Sequence, residues 1–449
     1  MPSFDLRVPA VLLRVDRNPF HHGTLGAVRS LGRAGIDVHL VADCAGSPVG
    51  ASRFVHRMHP PPAPGAPPAD IALALRGVAA RVARPAVLIP MDDASAVAVD
   101  RMRDELAPRF LLPPAPPGLA ERVADKAELA AVCASAGLPH PTTLVPDGPA
   151  QAAAAVRRLG LPVVAKWSRP WLLPAGSDLR STTVLNSAQE ARALARRAGE
   201  AGSRLLLQAF LPPGRDLDWF FHGYADRTGA VRGGGPGRKQ RSWPRGAGLT
   251  AVGRWTPNPA VTAAAERLVR ALGYRGILDL DFRRDAATGA YHLLDFNPRP
   301  GAQFRLFADG AGLDVVRAQH LDLTHRPLPV PEPRPGRTFV VENYAPFAAA
   351  FRGGTERAWH ARDDLAPGAA LWALWSRHVG LRAARRLRDR VRPADPAPAA
   401  GPRIVRPAGP PDRLSAPAGR SAAPVGRPAA PLDALDTRPL SDDEKASSH

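Results

Sequence analysis

Lysine is nearly absent from this chain. Among its 60 basic side chains, the lysines are Lys126, Lys166, Lys239 and Lys445, and all the others are arginine. Arginine supplies charge and solubility as well as lysine does, but its planar fork does not replace a compact ammonium that must reach a single phosphate oxygen. The surviving lysines are therefore candidate functional residues. Random survival in a genome that favours arginine codons is the alternative interpretation.

Cysteine and long apolar runs are also scarce. Cys44 and Cys133 lie far apart, without CxxC or metal-type spacing. This spacing argues against a disulfide framework and a zinc site, and it favours buried thiols in a reducing compartment. The apolar run within residues 1–15 is too short and too interrupted for a signal peptide, and no stretch of about twenty apolar residues follows. The sequence therefore predicts a cytoplasmic protein without a transmembrane segment.

The charge balance is strongly basic, with 60 basic and 41 acidic residues and a formal net charge of +19. Such a charge is compatible with nucleic acid or an anionic surface, yet no nucleic-acid motif occurs, and we expect no nucleic-acid partner. Residues 377–392 hold seven arginines and one aspartate. That segment predicts either weak contact with an anionic surface or a solvated surface helix. Nothing in the sequence indicates the oligomeric state.

The order of apolar segments predicts five parts. Residues 1–115 alternate strand and helix, which indicates a Rossmann-like α/β domain with a parallel sheet but without the GxGxxG fingerprint. Residues 116–205 and 206–330 each mix helices and strands as α+β units. Residues 331–392 form a small helical extension, and residues 393–449, rich in proline, alanine and arginine, form a disordered tail.

Two acids follow the predicted strand 86–90. Asp92 and Asp93 stand where that strand ends, and the carboxyl edge of an open parallel sheet is where ligands bind. Capping of the next helix explains either aspartate equally well.

The most specific local chemistry lies in residues 276–301, GILDLDFRRDAATGAYHLLDFNPRPG. Strand alternation places Asp279 and Asp281 on one face, and likewise Asp295 and Asn297. The intervening turn residues predict an antiparallel hairpin. If Asp281 pairs with Asp295, both acids and Asn297 crowd one spot.

Oxygen donors of this kind suit Mg²⁺, which takes one or two carboxylates and leaves its other positions to phosphate and water. Arg299 follows directly and could be the second positive partner of a metal-bound anion. Asp279 either joins the metal or only faces the site. An exposed hairpin face decorated with acids is the alternative interpretation.

Together these segments resemble the ATP-grasp superfamily, and more narrowly its predicted ATP-dependent carboxylate-amine ligases, which include D-aspartate ligase-like proteins. The resemblance spans residues 8 to about 325. It rests on Asp125-Lys126 with the following Gly137-Leu138-Pro139-His140-Pro141-Thr142, the strand 162–166 ending in Lys166, the linker Gln208-Ala209-Phe210-Leu211, Asp216, Lys239, the pair Asp281 and Asp295, and Asn297-Pro298-Arg299.

The resemblance implies a pre-ATP-grasp N-terminal domain followed by a two-subdomain ATP-grasp fold. It also implies ATP, and Mg²⁺ with Mn²⁺ as the alternative ion, as cofactors. The activity it implies joins a carboxylate, amino acid or acidic, to an amine through an acyl phosphate. A nucleotide-binding regulatory module without turnover and a carboxylate kinase are the alternatives.

The resemblance also implies residue roles. Lys126 and Lys166 would hold the α- and β-phosphates, Lys239 the γ-phosphate, and Arg299 the acyl phosphate. The linker 208–211 would hold adenine through backbone groups. The remaining implied contacts are Asp216 with the ribose and Asp281, Asp295 and Asn297 with the metal.

The chain departs from the family pattern in two places. Gln208 stands where a glutamate is common, and the loop 167–180 contains only Gly176 where a glycine-rich phosphate cover is usual. A separate glycine run, 233–237, predicts either a flexible substrate loop or a surface turn.

Overall fold

The computed structural model describes residues 2–43, 46–63, 65–174, 176–243, 248–351 and 355–391. The tail 393–449, predicted to be disordered, lies outside these residues, as do Cys44 and Lys445.

The N-terminal domain is a five-stranded parallel sheet with strand order β3-β2-β1-β4-β5. Its central strands β1 and β2 are short, apolar except for His39, and buried along their whole length, as strands covered by helices on both faces must be. The predicted Rossmann-like domain is therefore confirmed. Its elements are β1 (Ala10–Leu13), α1 (His22–Arg33), β2 (Val38–Val41), β3 (Arg57–His59), α2 (Pro68–Val82), β4 (Ala86–Pro90), α3 (Asp93–Arg101), α4 (Arg103–Leu106) and β5 (Phe110–Leu111).

A smaller antiparallel sheet of four strands follows, with strand order β6-β9-β7-β8. Its core is a separate apolar cluster that includes Val163, Trp167 and Leu207. The elements of this region are α5 (Leu119–Ala124), α6 (Lys126–Ser135), β6 (Thr143–Leu144), α7 (Pro149–Leu159), β7 (Val163–Trp167), a 3₁₀ turn (Pro170–Leu172), β8 (Thr182–Leu185), α8 (Ala188–Ala195), α9 (Ala198–Ala201) and β9 (Leu205–Ala209).

The largest sheet has seven strands in the order β14-β13-β10-β11-β12-β15-β16. Helices α5 and α6 pack into the core of this sheet through Val123 and Leu129, so the predicted unit 116–205 is divided in its packing. The remaining elements are β10 (Asp218–Ala225), β11 (Val231–Trp243), β12 (Leu249–Trp255), α10 (Pro259–Leu272), β13 (Gly276–Arg284), β14 (Tyr291–Asn297), a 3₁₀ turn (Phe304–Phe307), α11 (Val315–Leu323), β15 (Thr338–Val340), α12 (Pro346–Phe351), β16 (Thr355–Arg357) and α13 (Ala366–Val391).

The interval 331–392, predicted as a helical extension, also supplies two strands to this sheet. β15 pairs with the edge strand β12, and β16 extends the sheet by one more strand. Each strand has three residues, too few for an alternating pattern to be visible in the sequence. Their pairing depends on an edge that only the folded sheet provides.

The C-terminal extension is fastened to the N-terminal domain. Arg29 of α1 is fully buried; its Nε donates to Asp364 Oδ2 at 2.8 Å and one Nη to the Trp359 carbonyl at 2.8 Å. One apolar cluster runs from Ala10 to Leu371 and joins the N-terminal sheet, the large sheet and the extension. These three parts therefore share a single core.

The arginine-rich segment 377–392 forms the end of α13 as far as Val391. Arg392 and the side chains of 381–391 lie outside the described set, so the predicted anionic-surface contact stays a prediction. Within the part of the chain that the structure covers, none of the helices has both the length and the apolar character needed to cross a bilayer.

We expect the free energy of unfolding to fall steeply between pH 6.5 and 5. Burial lowers the pKa of His22 and His39 to about 4, and that of His222 to about 3. On acidification the unfolded chain protonates each ring near its ordinary pKa of about 6.5, while the folded chain keeps it neutral. The free energy of unfolding therefore decreases as the pH falls below 6.5, and by pH 5 each of these histidines has lowered it by roughly 2 kcal/mol.

Urea unfolding at pH 7.5, 6.0 and 5.0 measures this loss. The His39→Asn variant should show a shallower pH dependence, because the protonation difference of His39 is removed. Unchanged unfolding midpoints across these pH values would contradict the expectation.

Candidate functional site

The predicted hairpin is formed by β13 and β14, which pair antiparallel. Asp281 lies opposite Asp295, and Asp279 lies opposite Asn297. Directly opposed residues of an antiparallel pair place their side chains on the same face of the sheet. The three carboxyl groups and the amide therefore share one face, as strand alternation predicts.

Two lysines from different elements converge on Asp295. The Lys126 ammonium, at the first residue of α6, donates to Asp295 Oδ1. Lys166 Nζ, in β7, lies 3.1 Å from the Leu294 carbonyl oxygen and 3.5 Å from Asp295 Oδ1. Burial alone would raise the pKa of Asp295, but the two ammonium groups outweigh burial and hold that pKa at about 2. Burial lowers the pKa of Lys166, against the attraction of Asp295.

Asp125 fixes the start of α6 and hence the position of Lys126. This fully buried carboxylate accepts from the backbone N–H groups of Ala127 at 2.9 Å and Glu128 at 3.3 Å, as an N-cap does. It also accepts from Arg169 Nε at 2.8 Å and from the Ser168 hydroxyl. The first residues of the glycine-poor loop after Lys166 are thereby anchored to the helix that carries Lys126.

Lys239 approaches the same face from β11. Its Nζ lies 3.8 Å from Asp281 Oδ1 and 3.3 Å from the Gly248 carbonyl oxygen. Burial raises the pKa of Asp281, and the Lys239 charge opposes that rise.

The glycine run 233–237 is neither a flexible loop nor a surface turn, because it lies inside β11 and pairs with β10. A Cβ on Gly234 would stand 1.9 Å from the His222 carbonyl oxygen, and one on Gly237 would stand 2.3 Å from the Phe220 ring. These glycines permit close packing within the sheet.

Arg299 is held by two acids. Its Nη1 donates to Asp279 Oδ2 at 2.7 Å, and its Nε lies 3.3 Å from Asp93 Oδ1. Asn297 Nδ2 lies 3.2 Å from the same Asp279 oxygen. Burial raises the pKa of Asp279, and Arg299 opposes the rise. Asp279 therefore helps to hold the Arg299 guanidinium in position.

The two acids that follow β4 have different roles: one caps the next helix, and the other lies at the candidate site. Asp92 caps α3 by accepting from the Ser95 N–H at 2.7 Å, and it also accepts from the Val15 N–H at 2.8 Å. Asp93, the first residue of α3, faces Arg299 at the carboxyl edge of the parallel sheet.

Sequence reasoning missed His222 and Gly301. His222 is completely buried in β10, directly opposite Asp279, and its Nδ1 lies 3.5 Å from Asp279 Oδ1. A Cβ on Gly301 would stand 1.9 Å from His222 Cε1 and 2.6 Å from Asp279 Cγ. Strand alternation places His222 on one face of β10. Its partner strand β13 lies about sixty residues later in the sequence, and no local sequence pattern predicts that the two strands pair.

The predicted nucleotide linker leaves the small sheet at β9, the neighbour of the strand that carries Lys166. Gln208 Nε2 donates to Thr143 Oγ1 at 3.0 Å, and the Ala209 N–H donates to the Thr142 carbonyl at 2.9 Å. Phe210 follows, and the Leu211 carbonyl accepts from Arg283 Nη1 at 2.9 Å. The Ala209 N–H and the Leu211 carbonyl are thus already hydrogen-bonded to other parts of the protein.

Asp216, the predicted ribose contact, is exposed and has a left-handed backbone with φ of 64°. Its Oδ1 lies 3.1 Å from Arg238 Nη1. The contacts of the linker and of Asp216 with a nucleotide stay predictions.

The donor set on the hairpin face fits Mg²⁺ in its chemistry. Within the described ranges no three His, Cys, Asp or Glu side chains are grouped as a metal centre, so no closed, all-protein cage stands here. Asp281, Asp295 and Asn297 offer two carboxylates and one amide. Mg²⁺ accepts so few protein ligands when phosphate and water complete its shell.

No family model and no curated protein matches the chain. Solved structures do. The N5-carboxyaminoimidazole ribonucleotide synthetase of Thermus thermophilus aligns with a TM-score of 0.53 at 18% identity, over 73% of this chain and 81% of that one. The L-amino acid ligase of Bacillus licheniformis aligns with a TM-score of 0.54 at 14% identity, over 73% and 77%.

A third match is the biotin carboxylase domain of the Hydrogenobacter thermophilus 2-oxoglutarate carboxylase, solved with MgADP, ADP and bicarbonate. It aligns with a TM-score of 0.54 at 17% identity, over 73% of each chain. At sequence identities this low, the matches are evidence of a shared fold and of nothing beyond it. With the Rossmann-like domain, the small four-stranded sheet and the large sheet in this order, the chain has the ATP-grasp fold.

Proposed function

We propose that the chain is an ATP-dependent carboxylate-amine ligase. The observation that carries this proposal is the pairing of cations with the acids of one hairpin face. Lys126 and Lys166 lie at Asp295, Lys239 lies near Asp281, and Arg299 lies at Asp279. Four cations brought from α6, β7, β11 and the end of β14 supply the charge needed to bind a triphosphate beside a second anion.

The proposed reaction has two steps. A substrate carboxylate oxygen attacks the γ-phosphorus, an O–P bond forms, the bond to the β,γ-bridging oxygen breaks, and ADP leaves. The amine nitrogen then attacks the acyl carbon, a C–N bond forms, phosphate leaves with the former carboxylate oxygen, and the nitrogen loses a proton. Phosphorylation is needed because a free carboxylate is a poor electrophile with no leaving group.

The chain's own residues would bind and neutralise charge. Lys126 and Lys166 would hold the α- and β-phosphates, and Lys239 the γ-phosphate, while Arg299 would stabilise the acyl phosphate. Each of the three lysines now faces a carboxylate, so nucleotide binding would exchange part of that attraction for phosphate oxygens. The ammonium groups are held in place beforehand, and little side-chain ordering remains to be done on binding.

Asp281, Asp295 and Asn297 would hold Mg²⁺, which would neutralise phosphate charge when bound. The MgADP bound in the structure of the Hydrogenobacter domain supports ATP and Mg²⁺ as the pair to test first. The linker 208–211 and Asp216 would contact the nucleoside.

The test is ADP release by the purified full-length chain with ATP, Mg²⁺ and a panel of carboxylates, with and without amines. Hydroxylamine should trap the activated acyl group as a hydroxamate. ADP release that needs a carboxylate but is indifferent to every amine would instead identify a carboxylate kinase. ATP binding without turnover on any substrate would point to the regulatory module.

A further inference from the structure

A cavity of about 60 Å³ lies between the N-terminal domain and the large sheet, next to Arg299. Its N-terminal wall includes Val99 of α3 and Leu112, which follows β5. Tyr274 and Ile277, around the start of β13, form part of the opposite wall. One water needs about 10–15 Å³ on the same measure, so the space admits a group of roughly four to six heavy atoms.

The polar groups of the wall are mostly engaged with protein. Asp100 accepts from the Ala120 N–H at 3.0 Å, and Arg103 Nη1 donates to the Pro113 carbonyl at 2.5 Å. The Tyr274 hydroxyl donates to the Ile277 carbonyl at 2.7 Å. These bonds leave little hydrogen-bonding capacity for a ligand.

The other polar groups of the wall are also bonded to protein. Arg275 Nη1 donates to the Tyr274 carbonyl at 2.8 Å and its Nε to the Arg227 carbonyl at 3.1 Å. Gln319 Nε2 donates to the Leu88 carbonyl at 3.4 Å, and Arg299 is held by Asp279 and Asp93. Of the lining side chains in the described ranges, Arg103 keeps one buried nitrogen, Nε, without a hydrogen bond. One such donor beside the Asp100 carboxylate would not offset the burial of a second carboxylate, which needs full pairing. The wall therefore favours an apolar group over an acidic one.

Arg299 connects this cavity with the site. It lines the cavity and, through Nη1, bonds Asp279 on the hairpin face. A molecule whose carboxylate reacts beside Arg299 therefore has this cavity as its neighbouring space. Pro90, at the carboxyl edge of the parallel sheet, lines it as well, and that edge is where ligands of such sheets bind.

We propose that this cavity is the subsite for the side chain of the carboxylate substrate, and that the substrate is a carboxylic acid with an apolar side chain of about the size of leucine's. The inference rests on the proposed function, because it assigns the substrate class of that same site. It departs from an acidic substrate, which the sequence alone left open.

The experiment compares leucine, methionine and phenylalanine with glycine, alanine and aspartate as carboxylates for the full-length chain. ADP release and hydroxamate formation are measured with ATP, Mg²⁺ and hydroxylamine. Binding of each amino acid is measured by calorimetry with a non-hydrolysable ATP analogue and Mg²⁺. We expect leucine or methionine to exceed alanine by about tenfold or more in kcat/KM, since even one methylene in an apolar pocket gives roughly tenfold discrimination. We expect them to exceed aspartate because burial of its unpaired side-chain carboxylate is costly.

Two variants change the cavity in opposite directions. Ala120→Leu should fill it and raise the KM and Kd for leucine about tenfold, with those for alanine and ATP nearly unchanged. Leu112→Ala should enlarge it and shift the preference toward phenylalanine. Ala264→Leu is the matched control, because Ala264 is also a partly buried helical alanine but lies in α10, outside the cavity wall.

Preference for aspartate or glycine, or equal effects of Ala120→Leu on all carboxylates, would overturn the subsite while leaving the ligase proposal standing. Binding of leucine that Ala120→Leu abolishes, without ADP release from any substrate, would support the subsite and contradict the ligase. Absence of both binding and turnover with every acid would overturn both. If Ala120→Leu fails to fold, the shift expected of Leu112→Ala decides the matter.

Discussion

We expect the Lys166→Arg variant to lose about a hundredfold or more in kcat/KM for ADP release, as removal of a single charge-stabilising donor typically does. The Lys166 side chain is only 7% exposed, and its ammonium lies between the Leu294 carbonyl oxygen and Asp295. A guanidinium keeps the charge but is larger and planar, so it cannot occupy the position of a compact ammonium without moving these neighbours. Steady-state kinetics with varied ATP measures the loss.

Lys445→Arg is the matched control, because it makes the same replacement in the tail and should leave turnover unchanged. A urea unfolding curve for Lys166→Arg separates a catalytic loss from a loss of folded protein. Near-normal turnover in that variant would contradict a specific need for lysine at this position and would favour codon preference as the explanation for the scarcity of lysine.

The second large effect is expected for Gly301→Ala. The added methyl would stand 1.9 Å from Cε1 of the fully buried His222 and 2.6 Å from Cγ of Asp279. Relief requires both side chains to move, and Asp279 holds Arg299. We expect a destabilisation of about 3 kcal/mol, the upper end for overpacking, and a loss of about a hundredfold in kcat/KM from misplacement of the arginine.

Chemical unfolding and steady-state kinetics measure the two effects on the same protein sample. Gly199→Ala serves as the control, since nothing lies within 4 Å of a Cβ at that helical position. The double variant Gly301→Ala/His222→Ala should recover part of the lost stability, because it removes one of the two clashing partners. Stability and turnover both unchanged in Gly301→Ala would refute the close packing of these three residues.

The parts of the fold that the sequence predicted are those with local signals. Short apolar strands alternating with helices predicted the N-terminal parallel sheet, and the motif order predicted the ATP-grasp fold, which the structural matches confirm. The hairpin 276–301 was predictable because two alternating strands flank a turn within a few residues. The nucleotide and metal roles assigned to its side chains stay predictions.

What the sequence could not predict depends on contacts between distant segments. His222 meets Asp279 only because β10 pairs with β13, with two strands intervening in sequence. The glycine run 233–237 predicts a loop or turn because glycine is typical of both, whereas in the structure it accommodates neighbouring groups inside a sheet. β15 and β16 join the sheet at the edge strand β12, and that edge exists only after folding.

The separate core of the four-stranded sheet has a mechanical consequence. Lys166 belongs to that sheet, whereas Lys126 starts a helix packed into the core of the large sheet, and both reach Asp295. Asp295 thus links two bodies with separate cores, in addition to the bonds of Asp125 with Ser168 and Arg169. A phosphate that draws either lysine away from Asp295 would weaken this link, so we expect nucleotide binding to be coupled to the relative position of the two bodies.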